Sequence, residues 1–133
     1  MPIKVMFFAF NPEAIFKTHE CYLQHAGIDI CGYVSCLDPY QDIYNKLQPD
    51  IVCYHFGTIP IEIYATEFTC KLIAATDYYS AEDQAATLSL AANSGLHHIR
   101  GYVQKEHHFL LAAFHLVDIG RDCFFPQDMV PLL

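Results

Sequence analysis

Three side chains able to do chemistry fall where apolar, strand-like runs end: His55, Thr76 and Lys105. A fourth run of that kind ends on Ala9 and Phe10 instead. In an open parallel sheet, ligands sit beyond the carboxyl ends of the strands, so these five positions would share one rim. A hard cation bound there needs oxygen ligands, and phosphoryl transfer needs both that metal and a carboxylate nucleophile. Alanine and phenylalanine cannot coordinate Mg²⁺, and an imidazole cannot form an acyl phosphate. No nucleophile–base pair and no glycine-rich phosphate loop is visible, so no enzymatic activity is expected.

The eight histidines raise the question of a metal. His97-His98 and His107-His108 bracket one strand-like run and should stand roughly 30 Å apart if it is extended. His19 and His25 lack the i, i+4 spacing that puts two ligands on one helical face. There is no Cys-x-x-Cys pair. Only His55 with His107 or His108 could converge, and the expectation is that no metal and no cofactor is held. The six cysteines lie in apolar or helix-like segments with no signal peptide before them, which favours free thiols.

The elements that position these residues alternate. Strand patterns cover residues 3–10, 28–35, 50–56, 71–76 and 98–104, and helix patterns cover 12–26, 38–47, 80–94 and 107–119. Pro12 opens the first helix and Gly27 closes it. Ser80 and Asp83 stand like a capping box with a shortened acid. Strands alternating with helices argue for a parallel sheet between two helical layers, a flavodoxin-like α/β sandwich of five βα units in the order 2-1-3-4-5.

A length of 133 residues with 53% hydrophobic content suits one globular domain. The net charge of -8 argues against direct nucleic-acid contact, which requires a basic face. No apolar run reaches the length of a membrane span, and a cytoplasmic location is expected.

The run Arg100-Gly101-Tyr102-Val103-Gln104-Lys105-Glu106, the apolar helix pattern after it, and Gly120-Arg121-Asp122-Cys123-Phe124-Phe125-Pro126 together resemble the last strand and helix of a known family. They are similar to the receiver (CheY-like) domains of NarL/LuxR-type response regulators, which normally carry a phosphorylated aspartate. The resemblance implies that Lys105 stands where a lysine contacts the phosphoryl group, Tyr102 where an aromatic switch residue stands, and Thr76 where a hydroxyl follows phosphate. It also implies that Ala9 and Phe10 replace the metal-binding acid pair and that His55 replaces the acceptor aspartate. The chain is then an atypical receiver without phosphate chemistry over 1–121, and 122–133 begin a linker toward a helix-turn-helix DNA-binding domain. Without those acids, Lys105 is expected to turn outward, and His55 to be satisfied by a backbone group. The spacing further requires a short third helix and a long fourth.

The last helix is apolar almost all round, which calls for cover on every side. With the sheet on one side, the expected cover on the other is a second copy of the chain. Phe16, Leu23, Leu110, Phe114 and Val117 are the expected contacts of a two-fold homodimer. The function that follows is phosphorylation-independent regulation of an attached DNA-binding domain through homodimerisation. The alternative is a small-molecule sensor whose ligand fills the more apolar rim left by Ala9 and Phe10.

Overall fold

The structure, a computed structural model, describes residues 2–93 and 95–124. β1 (Ile3–Ala9), β2 (Ile28–Ser35), β3 (Ile51–His55), β4 (Lys71–Thr76) and β5 (Ile99–Gln104) pair in parallel in the expected order. The inner strands are apolar on both faces because both faces are covered. Alternate residues of β1 divide between two cores: Val5 and Phe7 pack on one side, Met6 and Phe8 on the other.

The first core is closed by α1 (Pro12–Phe16), α2 (Glu20–His25) and α6 (His107–Asp118); the second draws on α3 (Tyr40–Leu47), α4 (Ile61–Tyr64) and α5 (Ala81–Asn93). α4 is four residues long and α5 thirteen, the short and long helices that the spacing required. Ser80 Oγ accepts from the Asp83 backbone N–H at 3.3 Å, which caps the start of α5.

Two elements depart from expectation. The single helix over 12–26 is interrupted by a tight 3₁₀ turn at Lys17–His19, which carries the buried His19 against α6. Gly27 then takes the left-handed position after α2, with φ of +90°. At the other end, Cys123–Phe124 is a sixth strand, β6, beside β5, so the sheet order is β2-β1-β3-β4-β5-β6. Both residues are buried, and this part of 122–133 belongs to the sheet rather than to a linker. The rest of that segment, 125–133, lies outside the described residues.

The five expected dimer contacts need correction. Phe16, Leu23, Leu110, Phe114 and Val117 are completely enclosed within the chain's own first core. Phe16 stacks on Phe7 with ring centroids 4.4 Å apart, and Phe114 meets the same ring at 6.2 Å. α6 is covered by the sheet beneath it and by α2 beside it, which absorbs an apolar stripe too wide for one neighbour. Its outward face carries His108, His115 and Asp118.

Among the described residues, no two cysteines are joined in a disulfide and no helix is long and apolar enough to cross a membrane.

Candidate functional site

β1, β3, β4 and β5 are neighbours, so their carboxyl ends bring Ala9, His55, Thr76 and Lys105 to one rim. Ala9 is buried there, whereas Phe10 turns its ring to solvent at 57% exposure. The Ser35 hydroxyl donates to the Phe10 carbonyl at 2.8 Å and pins the chain where it leaves β1.

The group that organises this rim is Asp77, which follows Thr76 directly. Its Oδ1 lies 2.9 Å from Lys105 Nζ and 3.3 Å from His55 Nε2. Lys105 Nζ also donates to the Ile15 carbonyl at 3.1 Å. The lysine is therefore turned inward and partly buried, contrary to the expected outward position, because a carboxylate from the β4 end supplies the partner that β1 and β3 lack. The Lys105 ammonium, donating to Asp77, holds that carboxyl below its ordinary value; partial burial opposes the shift and His55 adds to it.

His55 is buried and its Nδ1 sits 2.9 Å from Thr58 Oγ1. Its polar partners are thus two side chains, a hydroxyl and a carboxylate, not the expected backbone group. Its ring meets Phe16 edge-on at 6.2 Å. Thr76 is buried as well, and its hydroxyl donates to the Tyr78 carbonyl at 3.1 Å. The same residue's carbonyl accepts from the Lys105 backbone N–H at 2.6 Å. Tyr102 is fully enclosed by the second core, and its hydroxyl accepts from the Ser80 N–H at 3.2 Å. That contact ties β5 to the first turn of α5.

The arrangement is one carboxylate occupied by a lysine and an imidazole, with no second acid beside it in these contacts. Mg²⁺ demands a near-octahedral set of oxygens, so Ala9, Phe10, His55 and an already paired Asp77 do not fit it. Beside the cluster, Phe10, Asn11, Ile15 and Thr58 line an apolar hollow of about 300 Å³.

The histidines do not converge on His55. His107 meets His19 rather than His55, with the two Nδ1 atoms 2.5 Å apart, and His108 Nδ1 lies 2.9 Å from the Tyr22 hydroxyl. One imidazole of the first pair must donate its N–H to the other. Burial, and then the neighbouring His107 and Lys105, lower the His19 pKa to about 4. Among the described residues, no three His, Cys, Asp or Glu side chains are grouped to hold a metal.

Sequence reasoning missed both Asp77 and the His19–His107 pair. Asp77 had a signal, being an acid one residue past a strand's carboxyl end. His19 had none, since 88 residues separate it from its partner.

Solved structures with the same architecture are receiver domains. A LuxR-family two-component response regulator from Aurantimonas sp. SI85-9A1 superposes with a TM-score of 0.73 at 18% identity, covering 96% of this chain and 93% of that one. The isolated receiver domain of RcsB from Salmonella enterica serovar Typhimurium, determined with phosphomimetic BeF3−, gives 0.70 at 16% identity over 100% and 99%. These likenesses establish the receiver-type parallel α/β fold for this chain. No protein-family model and no curated protein matches it.

Proposed function

We propose that this chain is a phosphorylation-independent receiver module, a regulatory domain of the response-regulator type that passes signals by protein contact without phosphoryl chemistry. The observation that carries this reading is the Lys105–Asp77 ion pair at 2.9 Å. A lysine already paired with its own chain's carboxylate offers an incoming phosphoryl group less electrostatic attraction than an unpaired one would. Ala9, Phe10 and His55 at the neighbouring strand ends supply neither the metal ligands nor the acyl-phosphate nucleophile that such a transfer needs.

The same reading assigns Tyr102 and Thr76 to holding one state of the β4–α5 connection. Tyr102 is anchored on Ser80 and Thr76 on Tyr78, so both ends of that connection are fastened without a phosphate. A partner or ligand switches the domain only if it binds two states unequally. The proposed output is regulation of an attached helix-turn-helix domain by a two-fold homodimer. Its contact surface must lie outside the enclosed residues Phe16, Leu23, Leu110, Phe114 and Val117.

Labelling with radioactive acetyl phosphate and Mg²⁺ tests the chemistry. No label cleaved by alkali and hydroxylamine, as an acyl phosphate is, should appear on the wild-type chain. Stoichiometric label lost on changing Asp77 to Asn would overturn the proposal. A second reading, ligand sensing at the rim, is favoured by the apolar hollow at Phe10, Asn11, Ile15 and Thr58. Line broadening or shifts at Thr58 in a metabolite screen would distinguish it.

A further inference from the structure

A second cavity lies on the second-core side of the sheet. It is a cleft of about 400 Å³ between the Ile59–Glu62 segment and α5, whose Ala86, Ser89 and Leu90 form the far wall. Tyr54 of β3 forms part of its lining, and Phe56, Ile59 and Ile61 make the remainder mostly apolar. Tyr54 is 1% exposed, and among the described residues its hydroxyl is the one buried side-chain polar atom without a hydrogen-bond partner.

An orphaned buried hydroxyl is costly, and native interiors rarely keep one. Phenylalanine would fill the same space without that penalty. The phenol keeps its proton because burial, then the neighbouring Cys53 and Glu62, push its pKa up. A residue that lines the cleft therefore also carries a buried hydrogen-bond donor without a partner among the described residues. Glu62 at the rim and the net charge of -8 disfavour an anionic guest.

We infer that the cleft between Tyr54 and α5 is a binding site for a small, neutral, largely apolar organic molecule whose single carbonyl or hydroxyl oxygen accepts from the Tyr54 hydroxyl. The volume matches the lower end of small-molecule pockets, enough for a ring with a short substituent. The site is independent of the proposed loss of phosphate chemistry, since no residue is shared. Occupation would press on α5, the helix whose first turn Tyr102 anchors, and so connects to the regulatory end of the sheet.

Acetophenone and ethylbenzene are matched probes, with and without the acceptor oxygen. In ¹H–¹⁵N NMR titrations of the whole chain, acetophenone should give saturable shifts at the Gly57, Ser89 and Leu90 amides. Ethylbenzene should bind about tenfold more weakly, the worth of one good hydrogen bond to an otherwise unpaired donor. Tyr54→Phe should erase that discrimination while raising the melting temperature of the free protein by about 4 °C. Ala86→Trp, an exposed change at the wall, should block both probes. Absence of saturable shifts with acetophenone, equal affinity of the two probes for the wild type, or discrimination that survives Tyr54→Phe would each overturn the assignment.

Discussion

Replacing His19 by glutamine should flatten the chain's stability profile between pH 7.5 and pH 5. His19 is 7% exposed, packed edge-on to His107 with ring centroids 4.5 Å apart, and its pKa is lowered from 6.5 to about 4. Above pH 6.5 the imidazole is neutral whether the chain is folded or not, so its contribution is fully present. As the pH falls from 6.5 toward 4, the unfolded chain takes up a proton that the folded chain refuses, and stability is lost across that window. Applied to those two values, linkage gives a loss of about 2 kcal/mol by pH 5 for a fully enclosed group. The pair is only partly buried, and solvent relaxation around it lowers the expected figure to roughly 1 kcal/mol. Urea unfolding at pH 7.5, 6.5, 5.8 and 5.0, followed by circular dichroism, measures the slope directly. Carboxylates contribute little above pH 5, so the difference between wild type and His19→Gln isolates the imidazole. Parallel slopes for the two proteins would refute the reasoning.

Four other outcomes follow from the same geometry. Phe114→Ala should cost roughly 3–5 kcal/mol by opening the first core, and urea melts should show the loss at every protein concentration, as they would not for an interface residue. Tyr102→Phe should cost about 1 kcal/mol and speed amide exchange in the first turn of α5, where its hydroxyl meets Ser80. Gly101→Ala should loosen β6, because the new Cβ would stand 3.0 Å from the Cys123 carbonyl and 3.4 Å from Ile73; exchange at Cys123 and Phe124 reads this out. Asp77→Asn should leave stability within about 1 kcal/mol, since the carboxylate is half exposed, while freeing the Lys105 side chain for the motion that ¹⁵N relaxation of its ammonium detects.

Much of the fold could be read from the chain because parallel strands buried on both faces leave uninterrupted apolar runs. Met6 to Ala9 and Ile51 to His55 are buried throughout, and their sequences show it. Helix edges were set by local chemistry, as at Pro12, Gly27 and Ser80. What escaped were pairings between distant segments. Cys123-Phe124 is two residues long, too short to carry a period, and becomes a strand only because β5 offers an open edge. The breadth of the apolar stripe on α6 was legible, but its cover was not. A sequence cannot distinguish burial under α2 from burial under a second copy, and Leu110, Phe114 and Val117 turn out to face inward. At the rim, Lys105 was found but its partner was not, because Asp77 comes from a strand end where the resemblance supplies a hydroxyl.

The measurement that bears most directly on phosphorylation independence is a ¹H–¹⁵N spectrum of the whole chain recorded before and after adding beryllofluoride and Mg²⁺. With Asp77 holding Lys105 and no acceptor carboxylate on β3, the resonances of His55, Thr76, Asp77 and Lys105 should not move. Saturable shifts at those four residues that require both reagents together would show a working phosphoryl site and contradict the account.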